Sequence, residues 1–265
     1  MAVGQIRFED GAAYERMMGV WSRLAGEIFL EWLAPSAGLR WIDVGCGSGA
    51  FSELIVERAA PAEVQGIDPS EAQLAFARSR PAARVAQFRH GDAMTLPFSE
   101  GSFDAAVMAL VIFFVPNPSK GLTEMVRVVR HGGIVASYTW DILHGGFPNE
   151  PLMAAMRETG RAPPLPPSAD ASRMEALKAL WMGAGIGDIE TREITVSRTF
   201  RDFEDLWSTS TLGTNVRAMI AGMSVDDIEL LKARVRTQVS VDASGSITCS
   251  ARANAIKGIV VKPAH

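Results

Sequence analysis

Three glycines in five residues, Gly45-Cys46-Gly47-Ser48-Gly49, follow a short apolar run from Leu39 to Val44 and precede a helical pattern from Phe51 to Ala59. A turn so poor in side chains lets main chain approach a ligand closely and leaves free N–H groups at a helix N-terminus, where anionic or polar groups bind. With Ala50 the run satisfies the dinucleotide pattern, if alanine is accepted at its last position. Two carboxylates follow in order. Asp68 ends a second short strand downstream of Gly49, a position from which a carboxylate accepts hydrogen bonds from both hydroxyls of an adenosine ribose. Asp92, in Gly91-Asp92-Ala93 at the end of a third strand, can receive the exocyclic amine of adenine while the next backbone N–H reaches a ring nitrogen. Either aspartate alone is as readily a solvated strand-end residue. The two together, in this order after the glycine turn, point to a nucleoside.

The elements that must position these groups alternate. Apolar residues from Glu15 to Leu33 recur at helical spacing until Pro35 stops the helix. Strands are expected at Leu39 to Val44, Val64 to Ile67, Val85 to Arg89, Phe103 to Val111 and Ile134 to Thr139. Between them come helices, one capped by Ser70 over Glu71 to about Arg78, another capped by Asn117 with Pro118 at its first position and ended by His131-Gly132-Gly133. Strict alternation of short apolar strands with helices implies a parallel sheet covered on both faces. Residues 161–167 hold four prolines and read as a linker. A helix is expected over Met174 to Met182, a strand over Ile189 to Phe200, broken helices over Phe203 to Val239, and a closing strand over Ile247 to Val261.

The segments Trp41-Ile42-Asp43-Val44-Gly45-Cys46-Gly47-Ser48-Gly49, Gly66-Ile67-Asp68-Pro69-Ser70, Gly91-Asp92-Ala93-Met94-Thr95-Leu96-Pro97-Phe98 and Met125 to Gly133 resemble, in order and spacing, the successive motifs of class I S-adenosylmethionine-dependent methyltransferases. Within them the chain is most similar to the small-molecule branch that includes the ubiquinone and menaquinone biosynthesis C-methyltransferases. The resemblance is strong over residues 40–140 and fades beyond Pro151. It implies an α/β, Rossmann-like, seven-stranded, mostly parallel sheet with helices on both faces and an antiparallel last strand, and the helical pattern between the last two strands reads as an insertion before the last. In domain terms, 1–38 form an N-terminal helical cap and 39–265 the methyltransferase domain, with the insertion at about 201–245. It also implies S-adenosyl-L-methionine as cofactor. Gly45, Cys46, Gly47 and Gly49 would then line its methionine portion and Asp43 organise the turn. Asp68 would hold the ribose, Pro69 and Ser70 flank the adenine, Gly91, Asp92 and Ala93 read its edge, and Ala109 and Leu110 touch the amino-acid end. Phe113 stands where relatives often carry a polar residue, which favours an apolar substrate wall.

Further candidates face the acceptor. Tyr14 and Trp21, in the leading helical region, are expected to fold over the cofactor and attract its sulfonium through their ring faces by roughly 0.5–2 kcal/mol; helix packing is the competing role for Trp21. Trp140 and Asp141 follow the fifth strand and are substrate candidates. His144, before Gly145-Gly146, is the best general-base candidate, the alternative being a surface histidine. His90, His131 and His265 need no catalytic role, and Cys46 reads as a small close-packed residue rather than a nucleophile. The same glycine turn admits two other readings, an NAD(P)-dependent oxidoreductase and a noncatalytic S-adenosylmethionine-binding module.

Composition narrows the partners. The 265 residues are 48% hydrophobic and 21% charged, with 26 Lys+Arg against 30 Asp+Glu and a formal charge of -4. That is an ordinary globular chain without the cationic excess that drives nucleic-acid binding, so the expected partner is a small-molecule acceptor and not a nucleic acid. Two distant cysteines, Cys46 and Cys249, make no disulfide framework, and no Cys/His grouping has zinc-ligand spacing, so no metal is expected. The longest apolar run is Ala105 to Val115. It falls short of the roughly 20 residues that a bilayer span needs. A cytoplasmic protein with no stable membrane association is expected.

Overall fold

The computed structural model describes residues 15–262. A single π-helical turn, Glu15–Gly19, leads into helix α1, Val20–Leu33, which ends where Ala34 takes a left-handed conformation and returns its N–H to the Leu30 carbonyl. Then follow β1 (Arg40–Val44), α2 (Ala50–Arg58), β2 (Glu63–Asp68), α3 (Glu71–Ser79), β3 (Ala86–His90), β4 (Phe103–Ala109), α4 (Pro118–Val128) and β5 (Val129–Trp140). The second half adds α5 (Glu150–Glu158), α6 (Met174–Gly183), β6 (Ile186–Phe200), α7 (Phe203–Ser210), α8 (Thr214–Ala221), α9 (Val225–Thr237) and β7 (Ile247–Val260).

The seven strands form one sheet in the order β3-β2-β1-β4-β5-β7-β6, with β7 antiparallel to both of its neighbours and the other pairs parallel. Successive residues of a buried strand serve opposite faces. Trp41, Ala105, Val107, Ala136 and Tyr138 join the core under α1, α2 and α3, with Trp21, Phe29 and Leu54. Ile42, Ala106, Met108 and Val135 join the core under α4 and α6, with Leu122, Met125, Leu177 and Trp181. A smaller third cluster, including Leu152, Met156, Val216, Leu231 and Val235, unites α5 with the helices between β6 and β7.

The strand order reverses at β1, whose neighbours are β2 and β4. In open α/β sheets, ligands bind outside the carboxyl ends of the strands at such a switch point. The caps foreseen at Ser70 and Asn117 are present, accepting from the Gln73 and Lys120 amides at 3.4 and 3.1 Å.

Two elements depart from expectation. Helix α4 stops at Val128 rather than at His131-Gly132-Gly133, because Val129 already pairs with Phe103 and Arg130 reaches Asp104 at 2.7 Å. The ladder shifts register before Ala105 meets Ile134, and Gly132, with positive φ, lies in that irregularity. Helix α5 has no counterpart in the sequence pattern; its Leu152, Ala155 and Met156 face only the small third cluster.

Candidate active site

A cleft of about 820 Å³ opens at the carboxyl ends of β1 to β5. Its first wall is the glycine turn. Gly45, Gly47 and Gly49 all have positive φ, at 78°, 50° and 78°. At Gly45 a Cβ would lie 2.4 Å from Val111 Cγ1, so side-chain packing forbids one, whereas at Gly47 it would meet nothing within 4 Å and project into open space. Gly49 has a third role. It caps α2, and a Cβ there would come within 3.0 Å of the Ala77 Cβ and 3.1 Å of Phe88; it packs the turn onto α3 and β3 and does not line the cleft, contrary to its expected place. Gly45, Cys46, Gly47 and Ser48 do line it.

The two buried aspartates of the cleft, Asp43 and Asp68, divide their work differently from expectation. Asp68 shares the organising of the turn with Asp43: its Oδ2 accepts the Gly47 amide at 2.9 Å, and its Oδ1 accepts the Ser70 amide at 2.8 Å. Burial raises its carboxyl above the usual range in spite of both donors. Asp43, fully buried against the cleft, accepts the Ser52 hydroxyl at 2.7 Å through Oδ2, while Oδ1 has no protein partner. Desolvation pushes its pKa up to about 7, Ser52 offsetting part of that and the nearby Asp68 adding to it. Burial also raises the Cys46 thiol far above its ordinary value, which removes it as a nucleophile.

Pro69 and Ser70 line the next stretch, followed by Gly91, Asp92 and Ala93. Asp92 accepts the Met94 amide at 2.8 Å through Oδ1. Asp68 and Asp92 therefore share one cleft with the glycine turn. At the end of β4, Ala109 and Leu110 complete the floor. Leu110 donates its amide to the Tyr138 carbonyl at 2.8 Å and holds φ 62°. That conformation is rare for a non-glycine residue.

The acceptor-side expectations fare less well. Trp21 is 0% exposed and belongs to the core beneath α1, because its helical phase turns it inward; its neighbours Ser22 and Arg23 line the cleft instead. Phe113 is buried with its ring 4.4 Å from that of Phe114, and Phe114 is the one that faces the cleft. Trp140 points into the core. Asp141 lies outside the cleft, joined to Arg252 at 2.7 Å and to His144 Nδ1 at 2.9 Å. His144 is 57% exposed at its side chain and also absent from the cleft lining, which removes it as base. Tyr14 lies outside the described residues.

Sequence reasoning missed the apolar remainder of the lining: Phe51, Leu54, Tyr138, Val115, Leu165 and Pro167. The proline-rich segment 161–167 is thus a cleft wall and not merely a linker. Ser168 fastens it by donating its amide to the Phe113 carbonyl at 3.0 Å and its hydroxyl to the Val115 carbonyl at 2.7 Å. No pattern in the sequence marks that long-range clasp. Among the described residues no group of three or more His, Cys, Asp or Glu is arranged to hold a metal ion.

The family described as methyltransferase domain matches residues 42–137, a span that contains the glycine turn together with Asp43, Asp68 and Asp92. The ubiquinone/menaquinone biosynthesis C-methyltransferase UbiE of Roseobacter denitrificans is 37% identical over 115 residues, 42% of this chain and 46% of that protein. The chain thus spans just under half the length of that relative. The O-methyltransferase rstn1 of Aspergillus nomiae is 33% identical over 176 residues, 65% of this chain and 74% of that protein. Among solved structures, the phosphoethanolamine N-methyltransferase 2 of Haemonchus contortus, in complex with phosphomonomethylethanolamine and S-adenosylhomocysteine, shares the fold with a TM-score of 0.60 at 20% identity, over 94% of this chain and 56% of that one. On the family match and the rstn1 similarity, the chain belongs to the class I S-adenosylmethionine-dependent methyltransferases.

Proposed function

We propose that the protein transfers the methyl group of S-adenosylmethionine to a small, partly apolar acceptor. One observation carries this reading: the side-chain-free face at Gly47 and the carboxylates Asp43, Asp68 and Asp92 converge on a single cleft whose remaining wall is largely hydrocarbon. The residues fit the cofactor. The cleft volume, about 820 Å³, suits a ligand the size of a nucleoside with its amino-acid arm. The orphaned buried Oδ1 of Asp43 is an acceptor in need of a donor, and three carboxylates around the cleft suit a cationic ligand.

In this reading Asp68 and Asp92 bind the ribose and the adenine edge, the Gly45–Ser48 turn and the Leu110 main chain hold the amino-acid end, and Phe51, Leu54, Phe114 and Leu165 exclude water around the acceptor. The cofactor, when bound, supplies an activated methyl on sulfur. The chain then has chiefly to align a nucleophile, which is worth about 7–11 kcal/mol, against about 10²–10⁴-fold from a general base. No histidine lines the cleft among the described residues, so positioning carries the catalysis. The acceptor class, a small molecule and not a nucleic acid, rests on the apolar wall and on the net acidic composition. Among the described residues no helix is long and apolar enough to cross a membrane. A reducing, cytoplasmic setting suits the two buried free thiols, Cys46 and Cys249.

The reading is tested by incubating the protein with S-adenosylmethionine and a panel of small hydroquinones, phenols and carboxylic acids, then recording product mass. One added methyl on any member, with S-adenosylhomocysteine formed in equal amount, is the expected result. Tight cofactor binding with no turnover across the panel would favour the noncatalytic module.

A further inference from the structure

The glycine turn is held by two charged side chains from outside it. Asp68 takes the Gly47 amide from the cleft side, and on the other side Arg80 Nε donates to the Ser48 carbonyl at 2.6 Å. The same guanidinium reaches Glu53 Oε2 at 2.7 Å through Nη1, and its carbon stands 5.2 Å from the centre of the Phe76 ring. Arg80 and Glu53 are 13% and 14% exposed at their side chains, so this ion pair is far less open to solvent than surface pairs such as Arg58 with Glu27.

The local sequence explains how Arg80 arrives there. Pro81 disfavours a helical conformation at the preceding residue. Arg80 accordingly leaves α3 in an extended conformation, ψ 153°, and its side chain turns back toward the start of α2. A cation near a helix N-terminus works against the helix dipole, and partial burial adds a desolvation cost. Glu53, in the first turn of α2, offsets both. An arrangement unfavourable for the helix is thus maintained at the one carbonyl that precedes the α2 cap, between Gly47, whose missing Cβ leaves the cleft open, and Gly49, which packs on α3.

We infer that Arg80 is a positioning residue for cofactor binding: with Asp68, which holds the Gly47 N–H, it holds the Ser48 carbonyl, so that the two-residue stretch Gly47–Ser48 is fixed at both of its ends and with it the main-chain surface of the cleft. This rests on the reading that the turn holds S-adenosylmethionine. Main-chain bonds from the Gly45 and Cys46 amides to the Ile67 carbonyl and from the Gly49 amide to the Cys46 carbonyl hold the two ends of the turn, and packing restrains Gly45 and Gly49. Gly47 and Ser48 between them are left to the clamp, and without it ordering them detracts from the binding free energy of the ligand.

The experiment compares Arg80→Ala, Arg80→Lys and Glu53→Gln with wild type. Hydrogen exchange of the 44–50 segment is followed without ligand, and S-adenosylhomocysteine affinity is measured by calorimetry at a temperature where circular dichroism shows each variant folded. For Arg80→Ala, exchange across the turn accelerates and the Kd rises about tenfold, the scale of one lost hydrogen bond to a charged group. Arg80→Lys falls between, since an ammonium cannot fork to Ser48 and Glu53 as a guanidinium does. Glu53→Gln keeps the Ser48 contact and changes the Kd less than Arg80→Ala. A role confined to stability would instead lower Tm alike in Arg80→Ala and Glu53→Gln and leave the Kd unmoved, which overturns the inference. Turn exchange within about twofold of wild type in Arg80→Ala, or in Arg80→Lys should the alanine variant not fold, also overturns it. Failure of the wild type to bind S-adenosylhomocysteine overturns the functional reading instead, and the exchange data then still decide whether Arg80 holds the turn.

Discussion

Among single residues, the site depends on two carboxylates, Asp43 and Asp68, that the fold buries. Asp68 is doubly engaged in the turn, so Asp68→Ala removes a tether of the turn together with the proposed ribose contact. S-adenosylhomocysteine affinity falls by roughly 1.5–3 kcal/mol while the protein stays folded, as calorimetry with a parallel melting curve will record. Asp43 titrates at about 7 because it is buried. Its carboxylate form is favoured by a cationic ligand, so binding of S-adenosylmethionine expels a proton below that pH and becomes independent of it above. Affinity therefore rises from pH 6 to pH 8 and levels off, and Asp43→Asn flattens the profile. The carboxylates were legible in the sequence because strand, turn and spacing fix their place. Which oxygen meets which amide was not, since Gly47 and Asp68 are brought together only by the parallel register of β1 on β2. The same limit explains Trp21 and Trp140: their types suited a cation or an acceptor, but a side chain's direction depends on helical phase and strand face against a core that only the folded chain supplies.

In the elements, caps and glycines decide where the chain turns toward the cleft. Asn117 caps α4 one residue beyond the cleft-lining Pro116. Asn117→Ala costs about 1 kcal/mol of unfolding free energy in a denaturant titration, with S-adenosylhomocysteine affinity unaltered. Gly45→Ala faces two penalties, φ 78° and a Val111 methyl 2.4 Å from the new Cβ. It is expected to destabilise by more than about 1 kcal/mol, and adding Val111→Ala recovers only part of this, because the methyl clash goes while the Val111 Cβ contact at 3.0 Å and the dihedral strain stay. Full recovery would show that φ at this position carries no cost. Most of the alternating elements were readable to within a residue or two, since Ser70, Asn117 and Pro118 announce their helices. Helix α5 and the end of α4 were not. The first packs on a satellite cluster with weak periodicity, and the second yields to strand pairing driven by Val129 and Arg130.

Across the molecule, the sheet separates stability from binding. Asp104, near the amino end of β4, joins Arg40 at the start of β1 to Arg130 at the start of β5, at the end of the sheet opposite the cleft. Partial burial would raise its carboxyl, but the Arg40 and Arg130 donors outweigh that and hold it well below the usual range. A group with a depressed folded pKa contributes stability above its unfolded pKa, about 4, and loses it as pH falls through the folded value. Asp104→Asn should therefore lower stability at neutral pH by about 1–2 kcal/mol, soften the acid limb of the unfolding profile, and leave cofactor affinity unchanged. The overall topology was legible from alternation and motif order. The apolar wall of the cleft was not, because Ser168 meets Phe113 and Val115 across a long stretch of chain with no spacing rule to announce it. The most direct test of the whole is calorimetric titration of the wild-type protein with S-adenosylhomocysteine, set beside NADH. One site per chain, saturating with the former, weakened by Asp68→Ala and unmoved by Asp104→Asn, is the predicted result. No heat with S-adenosylhomocysteine, or saturable binding of NADH in its place, would contradict the assignment of the cleft.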